Sequence, residues 1–153
     1  MRRLPRPALI VLIALAVIVF LAISAILARV FSVDGAERAA LTSLVQAEAR
    51  GDQAAMLRDM YRCDAACRQR VAYVAQAYKR PGVVQIADLT TSAGFALGST
   101  TGTARVAWYA RNPYPVVQCI RVQRAGDALT GFTIRLLKIS KKIYSDSSCP
   151  PSY

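Results

Sequence analysis

Residues 8–28 read ALIVLIALAVIVFLAISAILA, a run without a charge in which Ser24 is the one clearly polar side chain. This stretch decides how the rest of the chain must be read. At about 1.5 Å per helical residue it reaches roughly 31 Å, close to the thickness of a bilayer's hydrocarbon core. Arg2, Arg3 and Arg6 precede it, and a single Arg29 follows it directly. That imbalance predicts a cytoplasmic N-terminus and an exported remainder. Pro5 and Pro7 lie before the run and leave it uninterrupted. The competing reading is a cleaved signal peptide, with Ala22 and Ser24 as a weak cleavage site. A signal's apolar core is usually about 7–15 residues, shorter than this one. No Cys follows closely enough for a lipoprotein anchor. Both readings place the rest of the chain outside the cytoplasm. The expected organisation is a basic cytoplasmic tail over 1–7, a transmembrane helix over 8–28, a linker over 29–34, a domain over 35–143 and a tail over 144–153.

The span accounts for an odd composition. The chain is 54% hydrophobic yet carries 20 Lys and Arg against 9 Asp and Glu. Four of the basic residues flank the span, which leaves sixteen against nine acids in the exported part. The apolar content excludes a disordered chain, and 8 Gly with 7 Pro exclude a collagen-like one. There is no His, which removes His-based triads, His acid–base chemistry and His metal sites. No cofactor is implied. Cys63, Cys67, Cys119 and Cys149 all follow the span and read as two disulfides, with three possible connectivities. A four-cysteine metal site would want two tightly spaced pairs, and only one close pair exists here; a redox pair would want CxxC beside a thioredoxin-like βαβ pattern, which is also absent. The pairing Cys63–Cys67 with Cys119–Cys149 is favoured, although an i,i+4 bridge requires a distorted helical turn.

Three helices are expected first. Asp34 and Glu37 match a capping box, followed by Leu41, Leu44 and Val45 at helical spacing as far as Arg50. Gly51 suits the position past that helix, and Asp52 caps a short second one packing Met56, Leu57, Met60 and Tyr61. Asp64 caps a third, whose stripe is Cys67, Val71, Val74 and Tyr78. Lys79 and Arg80 favour its C-terminal end, and Pro81-Gly82 stops it. Strands follow at Val83–Leu89, Ala93–Leu97, Thr103–Ala110, Val116–Arg124 and Leu129–Ile139. Gly98–Gly102 reads as a hairpin loop, since it lacks the ending of a phosphate loop. For the last two strands, an inward set of Val116, Ile120 and Val122 with Phe132, Ile134 and Leu136 is satisfied by pairing Val122 with Phe132. That register puts Ala125 opposite Leu129, Arg121 opposite Thr133, and Cys119 opposite Arg135 on the outer face, within reach of Cys149. The expected fold class is α+β, a transmembrane helix followed by three helices packed on an antiparallel sheet of about five strands.

The segment Ala49-Arg-Gly-Asp-Gln-Ala-Ala-Met-Leu-Arg-Asp-Met-Tyr61, set among three helices and a meander, resembles the nuclear transport factor 2-like superfamily over roughly residues 35–143. The resemblance implies a curved sheet wrapped around a long helix as a cone. With the span, the layout is similar to bitopic members, the mammalian-cell-entry-associated proteins of actinobacteria and the assembly-factor domains of type IV secretion systems. It implies a scaffold or accessory subunit of a membrane complex. Enzymes of the superfamily use Asp, Tyr or His in the cone, and no motif here assigns Asp88 or Tyr109 to such a position.

Between Arg105 and Lys142 lie eight basic residues and one acid, Asp127. Arg105, Arg121, Arg135, Lys138, Lys141 and Lys142 are the candidate basic face, suited to an anionic surface or an acidic partner; the plain alternative is a solvated strand face. Asp88, Trp108 and Tyr109 are the candidate pocket, with Tyr61, Tyr73, Tyr78, Phe95 and Phe132 as further aromatics that either line it or fill the core. Nucleic acid is not expected, for want of an aromatic–basic motif in an exported domain. The expected protein is a single-pass, cell-membrane binding or scaffolding module. It would contact the bilayer through 8–28 and an unidentified envelope protein outside. The alternative is a small ligand-binding or enzymatic cone using a buried Asp or Tyr.

Overall fold

The computed structural model describes residues 6–80, 82–92, 98–127, 130–144 and 147–153, and the side chains of these apart from positions 6, 29 and 30. Arg2, Arg3, Pro5, Pro81, Phe95 and the expected strand Ala93–Leu97 lie outside the described residues. The first helix, α1, runs from Arg6 to Arg50 without a break, about 68 Å of helix. The expected linker at 29–34 is therefore helical, and Asp34 is not a helix start. No Pro falls between Ala8 and Arg50, and helix formation is cooperative, so an existing helix extends through this stretch more readily than a new one nucleates. The two halves of α1 have opposite surroundings. Ile10, Val11, Ile18 and Phe20 are about two-thirds exposed, whereas Leu41, Leu44 and Val45 are fully buried. Such an unbroken apolar surface on the first half is long and apolar enough to cross a membrane.

Two short helices follow. Gly51, at φ +71, turns the chain out of α1. Asp52 then caps α2 (Gln53–Asp59) by accepting from the Ala55 N–H at 2.9 Å. Asp64 caps α3 (Ala65–Ala77) by accepting from the Cys67 N–H at 2.8 Å. Met56, Met60, Val71 and Val74 pack inward as their spacing predicts. Both disulfides have the favoured pairing, Cys63–Cys67 and Cys119–Cys149. Cys63 lies just before the cap of α3, so the short bridge spans the helix start and no regular turn has to distort.

Among the described residues the sheet has four strands, in the order β1 (Gln85–Thr91), β2 (Thr100–Tyr109), β3 (Val116–Asp127) and β4 (Gly131–Ile139), each antiparallel to the next. β2 begins inside the run expected as a hairpin loop. The β3–β4 register also differs from expectation, because Val122 pairs with Leu136 and Asp127 with Gly131. The turn sits two residues later than expected. There the Asp127 carboxylate accepts from the Thr130 N–H at 2.7 Å and from its hydroxyl at 2.8 Å. Gly126, at φ +119, is required, since a Cβ there would lie 2.1 Å from the Gly131 carbonyl oxygen. A shift by an even number of residues preserves the faces, so Val116, Ile120, Val122 and Leu136 do point into the core. A bulge then places Lys138 opposite Arg121 and lets Ile139 turn inward as well.

The helices cover one face of this sheet around Trp108, Ile120 and Leu44. The β4 edge is occupied by the α2–α3 junction, where the Tyr61 N–H donates to the Leu136 carbonyl at 2.7 Å. Past β4 the chain returns along β3, the Ile143 N–H donating to the Val117 carbonyl at 2.8 Å. It then crosses to the outer face, where Cys149 meets Cys119.

Candidate functional site

The outer face gathers four of the six expected basic residues. Arg105 on β2 pairs with Cys119, Arg121 on β3 pairs with Lys138, and Arg135 pairs with Gln123. The C-terminal tail lies across this face. Arg105 donates through Nε to the Ser147 carbonyl at 3.3 Å and through a terminal nitrogen to Asp88 at 3.0 Å. Arg121 donates to the Pro151 carbonyl at 3.2 Å and sits 5.8 Å from the centre of the Tyr153 ring. Arg135 stacks over Tyr61 at 4.4 Å. The other two residues lie elsewhere, next to α3. Lys141 is 4.7 Å from the Tyr73 ring, and the Lys142 N–H donates to the Tyr78 hydroxyl at 2.9 Å. The face expected from the sequence is thus divided, because β4 ends at Ile139 and the next residues leave the sheet.

The expected pocket residues do not come together around a cavity. Trp108 is fully buried, its indole N–H donating to Gln118 Oε1 at 3.1 Å. Asp88 is about half exposed on the edge strand, paired with Arg105, and is not a carboxyl among aromatics. Tyr109 is half-buried at the end of β2. Two surface cavities lie away from these residues. A cleft of about 270 Å³ is formed by the α2–α3 junction and β4, with Tyr61, Arg70, Lys138 and Tyr153 among its walls. A second, of about 540 Å³, is bounded by Tyr114, Val117 and Tyr144.

Two groups of polar residues are buried beneath the sheet in roles that local spacing does not show. Glu48 lies fully inside, between α1 and β3. Gln118 Nε2 donates to Glu48 Oε1 at 2.8 Å and to the Ser140 carbonyl at 3.3 Å. The other carboxyl oxygen of Glu48 has no hydrogen-bond partner among the described residues. Burial pushes this carboxyl up to about 8, against the smaller lowering effect of the Gln118 bond. Closer to the apolar half of α1, Arg124 reaches across from β3. Its Nε donates to Glu37 at 2.8 Å and a terminal nitrogen donates to Asp34 at 2.7 Å. Glu37 also accepts from the Thr91 hydroxyl at 2.9 Å, which ties α1 to β1 as well. The two residues read as a capping box therefore form a clamp on the sheet.

Each of these groups had a signal. Glu37 and Glu48 stand at i−4 and i+7 from Leu41, on the stripe that buries Leu41, Leu44 and Val45. Gln118 and Arg124 share the even parity of Val116, Ile120 and Val122.

No protein-family model matches this chain, and comparisons with curated proteins and with solved structures found no significant match.

Proposed function

We propose that this chain is a single-pass, membrane-anchored binding or scaffolding module, with residues 8–28 in the bilayer and the α+β domain on the oxidising side. It would serve as an accessory subunit of an envelope complex. The observation that carries the reading is the two-faced α1. Its apolar half offers its side chains to the surroundings, and its second half is the central helix of a domain closed by two disulfides. An uninterrupted helix clamped by Arg124 would hold that domain at a fixed height and orientation, which suits a subunit that positions something. The helix-on-sheet layout is compatible with a nuclear transport factor 2-like domain. The packed surroundings of Trp108 and the surface position of Asp88 favour binding over catalysis.

The test has two stages. Alkaline carbonate should leave the full-length protein in the membrane pellet, and protease added outside the cell should digest the domain. Recovery of a mature protein lacking Met1–Ala28 would reject the anchor. Purification in mild detergent should then recover a partner whose yield falls when Arg121 and Arg135 are reversed to Glu. Unchanged recovery would remove the basic face from the contact.

A further inference from the structure

The cleft between the α2–α3 junction and β4 belongs to none of the readings above. Its walls bring together three cations from three places in the fold: Arg62 in the junction, Arg70 on α3 and Lys138 on β4. None of the three forms an ion pair among the described residues. Asp64 is the one side-chain carboxylate among the lining residues, and its Oδ1 is engaged in capping α3. Basic side chains therefore outnumber acidic ones on its walls three to one. Tyr61 and Tyr153 supply aromatic walls.

The fold holds these groups in place. The Tyr61–Leu136 backbone bond fixes the junction to β4, and the Cys63–Cys67 bridge fixes the start of α3. The bulge in β4 sets Lys138 on the outer face. Arg62 lies at φ +49, an uncommon conformation for a residue with a side chain, and its guanidinium lies 5.2 Å from the Tyr61 ring.

We propose that this cleft binds a phosphate ester carried by a soluble molecule, with the phosphate on Arg62, Arg70 and Lys138 and the organic body against Tyr61 and Tyr153. Guanidinium groups match the geometry of phosphate oxygens, and three cationic side chains from three elements suit the three terminal oxygens of a phosphate ester, where a carboxylate offers two. The height of the cleft separates a soluble ligand from a lipid headgroup. Ser43 on α1 donates to Asp59 at the end of α2 at 2.9 Å, so the junction lies level with Ser43. Along the helix that is about 22 Å beyond Ala28, whereas the headgroup layer is about 5–8 Å thick. A lipid of the anchoring bilayer cannot reach the cleft without leaving the membrane. This step rests on reading 8–28 as the span; the anion site itself does not.

The experiment uses the full-length protein in non-ionic detergent, titrated calorimetrically with glucose 6-phosphate, inorganic phosphate and glucose. Glucose 6-phosphate should bind saturably, inorganic phosphate more weakly, and glucose not at all. Arg70→Gln and Lys138→Gln should each weaken the binding about tenfold, while Arg111→Gln, outside the cleft, leaves it unchanged. Matched Trp108 fluorescence and unfolding midpoints show that the variants are folded. A second arm measures sedimentation with phosphatidylglycerol vesicles. Absence of saturable binding to glucose 6-phosphate overturns the proposal, as does binding that both cleft variants retain. Vesicle binding that depends on Arg70 and Lys138, without binding of the soluble ester, overturns the choice of a soluble ligand. Failure of the membrane reading shows instead in the carbonate extraction, independently of any of these titrations.

Discussion

Glu48→Gln should make this protein more stable, and only above a defined pH. The carboxyl has an ordinary value of 4.5 in the unfolded chain and about 8 in the folded one. Below pH 4.5 it is protonated in both states and costs nothing through ionisation. Between 4.5 and 8 the unfolded chain releases the proton and the folded one keeps it, so stability falls as pH rises. Above 8 both states are ionised and the slope vanishes. At about 1.4 kcal/mol per pH unit, the whole interval removes about 5 kcal/mol, of which about 4 is already lost at pH 7.5. The amide of Glu48→Gln cannot ionise, yet its oxygen can still accept from Gln118. The variant and the parent should therefore be about equally stable at pH 4.5, and the variant about 4 kcal/mol more stable at pH 7.5. Urea unfolding of the full-length chain in non-ionic detergent measures this, and the protein carries its own reporter. Trp108 is the single tryptophan, and it is joined to Glu48 through Gln118. Equal pH slopes for the two proteins between pH 5 and 8, or a less stable variant at pH 7.5, would refute the reasoning.

Three further outcomes can be checked by the same unfolding measurement. Arg124→Met leaves Glu37 buried without its cation and should cost about 3–5 kcal/mol, whereas adding Glu37→Leu should recover most of the loss; a double variant as unstable as the single one contradicts the clamp. Gly35 is helical with open space around its Cβ position, so Gly35→Ala should stabilise by about 1 kcal/mol, and a neutral or negative result would favour a chain broken near Asp34. The Cys119–Cys149 bridge closes a separation of 30 residues and the Cys63–Cys67 bridge one of 4. Replacing the first pair by Ala should cost about 3.5 kcal/mol and the second about 2 kcal/mol, by loop entropy; the reverse order would show that local constraint outweighs loop length.

The features that the sequence determined by itself are those set by residues close together along the chain. The apolar run of 8–28, the caps at Asp52 and Asp64, the helical stripes of α2 and α3, and the alternation along β3 depend on local spacing, and each is found in the fold. Even the incorrect β3–β4 register left the inward faces intact, because strand alternation survives any even shift. Tertiary structure decided the rest, through charges whose partners are remote. Asp34 and Glu37 satisfy a local capping pattern, but a cap is needed only where a helix begins, and α1 does not begin there. Their partner, Arg124, stands 87 residues beyond Glu37. The basic residues between 105 and 142 looked like one surface because they are close in sequence. The end of β4 and the returning tail sort them into a half-buried face that the tail crosses, a pair beside α3 and one wall of a cleft. That cleft draws its other cations from Arg62 and Arg70, which no local pattern joins to Lys138. Long-range pairing brings them within one cavity, because the Tyr61 backbone closes the open edge of β4.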